Sequence, residues 1–432
     1  MVQKDQQRLL ILSSLGGTLE FYDFIIFALF ASYISNAFFP ATDELVSLLI
    51  TFATFAIGYL VRPLGGIIFG HFGDKIGRKT TFTVSILIMA LATIGIGVIP
   101  TYSTIGIAAP LIVISLRILQ GISIGGEIPG AITYVTESLP HRKGLACGVI
   151  FCALLFGIVL GSIVHAAILT FLPAEQMQAY GWRIPFIVGG IFGLLSYLLR
   201  KELHESSQFL AIEKSVEKFP IVTVFKQELS CVIAGGLIVA LCAAIVTGLF
   251  LFNPAYFTKV LHLPMDAYIW ERTAAIAFGS ILSIFFGHLT DLFNLKKLVR
   301  LLTMLTACLA YPIFTIYVYH PNLYPLAFIA SSLLLGLSAG IIPPLLSELF
   351  PTKIRYSGIA VSYNLGFAIF GGLTPFVSLS LIYYTGWVTT PALYLILVSL
   401  LAILSVAFLN RRHQLFNSEE SCHPARNEGL PG

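Results

Sequence analysis

Residues 70–80 read GHFGDKIGRKT, and residues 287–297 read GHLTDLFNLKK. Each is a short polar stretch that closes one long apolar run and precedes another. A second pair behaves the same way: ESLPHRKG at 137–144 and ELFPTKIRYSG at 348–358. Both offsets are a little over two hundred residues. The chain therefore reads as two copies of one unit, each with matched loops after its second and fourth apolar runs. A parallel repeat of this kind builds membrane carriers whose substrate site lies at mid-depth between the halves.

Composition agrees with a lipid solvent. Of 432 residues, 57% are hydrophobic and 11% charged, with a mean hydropathy of +0.90. Soluble domains carry about 25% charged residues because their surfaces face water. Crossing a hydrocarbon core of about 30 Å takes about 20 mainly apolar residues in a helix. Such runs occur at 9–38, 45–72, 80–100, 105–136, 145–171, 183–200, 230–257, 268–290, 298–319, 323–349, 356–384 and 388–410. The expected fold is an all-α membrane protein with twelve transmembrane helices in two six-helix bundles. Its divisions are residues 1–200, a middle loop at 201–229, residues 230–410 and a tail at 411–432. The first run continues through Glu20 and Asp23, so it reads as a retained span rather than a cleaved signal.

Lys and Arg in the loops set the orientation. Alternate loops hold Lys4 and Arg8, Lys75 to Lys79, Arg142 and Lys143, Arg200 to Lys226, Lys296 to Arg300, Lys353 and Arg355, and Arg411 and Arg412. The opposite loops hold almost none. Both termini and the middle loop are expected in the cytoplasm. The net charge of +4 is small and scattered, so nucleic acid is not an expected partner. The six cysteines show neither CxxC pairing nor metal spacing, and no metal or enzymatic motif is present.

Charge inside the spans is the functional signal. An ionisable side chain at the bilayer centre costs about 2.5–3.5 kcal/mol or more, so it faces a cavity or a partner. The first half places Glu20 and Asp23 in span 1, Arg62 in span 2, and Arg117 and Glu127 in span 4. Glu20 and Asp23 share a helix face, as do Gln120 and Glu127. In the functional reading Arg117 holds a substrate carboxylate, helped by Gln120, Tyr22 and Tyr134. Asp23, Glu127 and Glu20 are then the candidates for the coupling proton. Poor hydration favours a neutral carboxyl group and a nearby guanidinium favours the carboxylate, so substrate arrival switches the balance. In the alternative, these charges are structural pairs locking spans 1, 2 and 4; Arg62 and Glu20 fit that role best. Phe24, Phe27, Asn253, Tyr363 and Asn364 are weaker candidates for the cavity wall.

Several segments resemble one family. Gly73-Asp74-Lys75-Ile76-Gly77-Arg78-Lys79 resembles the loop signature of the major facilitator superfamily. More narrowly, LEFYDFIIFALFASYISNAFFP (19–40), VRPLGGIIFGHFGDKIGRK (61–79), YSTIGIAAPLIVISLRILQGISIGGEIPGA (102–131), GWRIPF (181–186) and ELHESSQF (202–209) resemble its metabolite:proton symporters. The clear resemblance covers about residues 16–210; the second half matches at superfamily level. It implies proton-driven uptake of a small carboxylate or zwitterion by alternating access, with cargo in the range of α-ketoglutarate, citrate, proline and betaine. It also implies that Asp74, Arg78 and Lys79 form a cytoplasmic charge relay that steadies the outward-open state. Energy comes from the proton gradient rather than from a cofactor, in a bacterial inner membrane, with a monomer as the expected working unit. The competing readings are a proton-coupled efflux pump and a non-transporting sensor of the same fold. Span 5, GVIFCALLFGIVLGSIVHA, lacks the proline typical of facilitator antiporters.

Overall fold

The computed structural model describes the backbone of residues 2–40, 44–212, 215, 217–263 and 269–421. The side chains of residues 1–8 and of 410 onward fall outside the described part, as does the end of the tail from 422. Twelve described helices are long and apolar enough to cross a membrane. Spans 1 to 6 are Leu9–Leu29, Ala53–Ile76, Arg78–Val98, Ala108–Ser138, Pro140–Phe171 and Gly181–Arg200. Spans 7 to 12 are Leu229–Leu251, Trp270–Leu292, Leu295–Tyr319, Pro321–Leu349, Thr352–Thr385 and Pro391–Leu409. The run at 9–38 is not one straight helix: it breaks at Phe30 and resumes as Ala31–Phe38. Phe30 is buried there, edge-on to the His165 ring of span 5 at 4.8 Å.

Prolines shape several spans. Pro254 lacks an N–H to continue the ladder, and span 7 widens into a π-helical turn, Thr247–Leu251, just before it. Span 11 does the same at Phe367–Gly371, four residues before Pro375. Pro129 sits inside span 4, and Pro343 and Pro344 inside span 10.

Helix packing repeats between the halves. Span 1 lies against spans 5 and 6, span 3 against 4 and 6, and span 2 against 4. Spans 7 to 12 reproduce the main contacts: 7 on 11 and 12, 9 on 10 and 12, 8 on 10. The halves meet along two seams, span 2 on span 11 and span 5 on span 8, which the repeat relates to each other. Without a hydrophobic drive in lipid, such contacts depend on small residues that let backbones approach. A Cβ on Gly70 would lie 2.8 Å from the Ser357 Cα of span 11, so that seam admits only glycine there. Outward faces carry exposed Leu, Ile and Phe for lipid. Trp270, Tyr383, Tyr384 and Trp387 are exposed at the ends remote from the basic loops, where an aromatic belt belongs.

Candidate functional site

All the fully buried charged side chains among the described residues lie in the first half: Glu20, Asp23, Arg62, Asp74, Arg78, Arg117, Glu127, Glu137 and Arg200. They fall into three groups, set by which helix faces meet.

The first group joins spans 1, 2, 3 and 4. Arg117 donates to the Gln120 Oε1 at 2.7 Å, and the Gln120 amide donates to Asp23 at 2.6 Å and to the Thr93 hydroxyl at 2.9 Å. Arg117 and Asp23 stand 3.9 Å apart. Arg117 and Gln120 are three positions apart on one helix, so both project from one face of span 4 toward span 1. The guanidinium lies 3.8 Å from the Phe27 ring centroid and 5.4 Å from that of Phe55. One turn away on span 1, Glu20 pairs with Arg62 at 3.3 Å, and Arg62 sits over Tyr59 at 4.8 Å. Asp23 Oδ1, Arg117 Nε, Glu20 Oε2 and Arg62 Nε are buried without a hydrogen-bond partner. Buried polar atoms are nearly always satisfied, so orphans mark a place for water or ligand. A small crevice beside Arg117 and Gln120 is lined by Phe24, Gly58, Gly121 and Ile124.

The second group lies nearer the basic-loop end. Glu127 accepts from Arg200 at 2.6 Å and from the Ser85 hydroxyl at 2.6 Å. Arg200 also donates to the carbonyls of Leu12, Ser13 and Phe82, so it ties spans 1, 3, 4 and 6 together. Arg200, grouped by its charge with the basic middle loop, is the last residue of span 6, and its side chain turns inward. The one available signal was an unpaired acid at depth in span 4 that needed a base.

The third group closes the basic-loop end. Asp74 accepts from the backbone N–H groups of Tyr356 and Ser357 at 3.2 and 2.8 Å and pairs with Arg78 at 3.1 Å. It thus caps the start of span 11, where unpaired N–H groups favour an anion. Arg78 reaches Glu137 at 3.0 Å, the Thr352 carbonyl at 2.5 Å and the Phe209 ring at 4.5 Å. Arg355 binds the same Glu137 at 3.1 Å, so one carboxylate bridges the two halves. Gly77, with φ of +120°, turns the chain between spans 2 and 3 in a conformation that suits glycine. Lys79 enters the relay through its backbone N–H, which donates to Glu205 along with that of Arg78. The other seam repeats the design: Asp291 accepts from the N–H groups of Gly144 and Leu145, and Lys143 pairs with Glu348.

Other expected residues lie apart from the Arg117 group. The Tyr22 hydroxyl donates to the Pro185 carbonyl of span 6, and that of Tyr134 donates to the His204 carbonyl at the basic-loop end. Glu127 faces Arg200 instead of Gln120. The middle loop is more than a linker: its helix Ser207–Ile212 is docked, with Phe209 and Ser206 buried, Ser206 on Glu137 and Gln208 on Arg355.

Two repeated bundles that meet along two seams and are joined at one end by ion pairs have the architecture of secondary transporters. The profile of the Major Facilitator Superfamily matches residues 13–270. A citrate-proton symporter of Klebsiella pneumoniae is 32% identical over 401 residues, covering 92% of this chain and 90% of that protein. A Staphylococcus haemolyticus protein named for proline/betaine transport is 34% identical over 424 residues, covering 92% and 86%. An inner membrane metabolite transport protein of Escherichia coli is 32% identical over 389 residues, covering 86% and 87%. The chain belongs to the major facilitator superfamily, among its metabolite:proton symporters; it is an integral membrane, proton-coupled transporter and not an enzyme. The solved proton:xylose symporter XylE shares its fold, with a TM-score of 0.74 at 16% identity, covering 95% of this chain and 96% of that one. The human organic anion transporter MFSD10 superposes at a TM-score of 0.66 with 13% identity, covering 94% and 99%.

Proposed function

We propose that this protein is a symporter that uses the proton gradient to import a small carboxylate or zwitterionic metabolite by alternating access. One observation carries the reading: the buried Asp23–Gln120–Arg117 chain, with a free donor on Arg117 and a free acceptor on Asp23. Arg117 is the cation for a substrate carboxylate, and Asp23 is the acid that takes the proton. In the absence of substrate, Asp23 is the counterion of Arg117. A substrate carboxylate replaces it in that role, and a proton then neutralises Asp23. The Glu20–Arg62 and Glu127–Arg200 pairs hold spans 1, 2, 4 and 6 in register around this exchange. A relative named for citrate and another named for proline/betaine support a carboxylate-bearing cargo.

The relay of Asp74, Arg78, Glu137 and Arg355 latches the basic-loop end, which we place in the cytoplasm with both termini, in a bacterial inner membrane. The latch then corresponds to a carrier closed toward the cytoplasm. The unit at work is the single chain. The test is proton co-uptake: cargo added to de-energised, lightly buffered vesicles makes the external medium alkaline if proton and substrate enter together. Cargo entry with no pH change would sink the symport reading. Enzyme fusions to the middle loop that report an external location would sink the orientation.

A further inference from the structure

A second, uncharged contact crosses between the halves, deeper than the charged relay. Asn364 is eight residues into span 11 from Tyr356, about 12 Å further along the helix. Its amide is fully buried and donates to the Gly125 carbonyl of span 4 at 2.8 Å. The Tyr356 hydroxyl donates to the neighbouring Gly126 carbonyl at 2.8 Å. A carbonyl inside a helix is ordinarily engaged by the N–H four residues on. For Gly125 that residue is Pro129, which has no N–H to give. The proline of one half thus frees an acceptor that the asparagine of the other half takes. Gly66 of span 2 leaves the room: a Cβ there would stand 2.6 Å from the Asn364 amide nitrogen.

We infer that Asn364 is a positioning residue for transport: with the carbonyl freed by Pro129 it forms an inner latch that holds the basic-loop end closed. The inference rests on the alternating-access reading given above. Because bundle rocking parts span 11 from spans 2 and 4, this bond exists only in the closed state. The position next to Glu127 adds a consequence. Gly125 and Gly126 directly precede that acid, whose carboxylate Arg200 and Ser85 hold, so a shift of the Glu127 pair moves the acceptors of the latch.

The test is hydrogen–deuterium exchange of the full chain in lipid nanodiscs, without substrate, read over the start of span 11 and the end of span 2. A single neutral hydrogen bond contributes enough to change the closed-to-open ratio roughly two- to tenfold. Asn364→Ala is expected to raise exchange in these two segments by that factor, with no change at the opposite ends of the same spans. Pro129→Ala returns an N–H to Gly125 and is expected to act in the same direction. The double variant is expected to exceed neither single by more than their measurement error, since both remove the same bond between the halves; the amide's other acceptor, the Ala360 carbonyl, lies within span 11 itself. Asn364→Ser, smaller and still polar, covers the case in which the alanine variant fails to fold. Exchange unchanged in both position-364 variants, or increments that add in the double variant, would overturn the inference. Transport plays no part in this readout, so a failed symport test and a failed latch test remain distinct.

Discussion

Replacing Asp23 with Asn tests the exchange at Arg117 most sharply. The two charges are 3.9 Å apart. At an effective dielectric constant of about 20 their attraction is about 4 kcal/mol. A proton on Asp23 gives that attraction up, and a substrate carboxylate seated on Arg117 restores an interaction of similar size. The coupling between proton and substrate is therefore worth up to about 4 kcal/mol, or about three decades in affinity. Linkage is reciprocal: if substrate favours the protonated carrier, lower pH tightens substrate binding. In equilibrium binding to purified carrier, the wild type is expected to bind cargo more tightly as pH falls, over as much as three decades between its plateaus. Asp23→Asn removes the titrating group and mimics its neutral form. Its affinity is expected to sit near the low-pH plateau of the wild type and to be flat with pH. It should exchange substrate across the membrane yet fail to accumulate it against a gradient. An Asp23→Asn carrier that keeps the wild-type pH dependence would refute the reasoning, because the proton would then reside elsewhere.

The structure supports three further expectations. Arg200→Ala strands the buried Glu127 carboxylate and is expected to destabilise the carrier by about 3–5 kcal/mol in thermal unfolding; Arg200→Met with Glu127→Gln should recover most of that loss, and equal damage in both would contradict a buried pair. Asp74→Asn weakens the charge-assisted cap on Tyr356 and Ser357 by about 1.5–3 kcal/mol, so amide exchange at the start of span 11 should rise; unchanged protection there would count against the cap. Glu205→Ala leaves the N–H groups of Arg78 and Lys79 without their acceptor, and limited proteolysis of the middle loop should become several-fold faster, whereas an undocked loop would be cut at the same rate.

Much of the fold was legible because lipid imposes so strict a rule. Each span must supply about 20 apolar residues, and the twelve runs read from sequence correspond one to one with the twelve helices. The repeat was legible in the paired loops, and Asp74 and Asp291 prove to do the same work, each capping the first turn of a span in the other half. The Asp23–Arg117 and Glu20–Arg62 pairs were foreseeable from charge at matched depth. Arg200 was not, because a basic residue ending an apolar run looks like any orienting charge outside the membrane. Glu205, Ser206 and Gln208 sit in a polar stretch whose composition suits a solvated linker. Their role depends on docking against spans 3, 4 and 11, which local pattern does not encode. Tyr22 and Tyr134, polar aromatics in apolar runs that suggest a binding wall, each donate the hydroxyl to a backbone carbonyl, that of Pro185 in span 6 and that of His204 in the middle loop.

The most direct test of the central claim is accumulation. Purified carrier in proteoliposomes would be given labelled α-ketoglutarate, citrate, proline or betaine, with and without an imposed inward proton gradient. The account expects one of these to rise above its external concentration only under the gradient, and to leak back when a protonophore is added. Saturable binding of a cargo with no accumulation under any gradient would contradict it and leave a sensor built on a transporter fold.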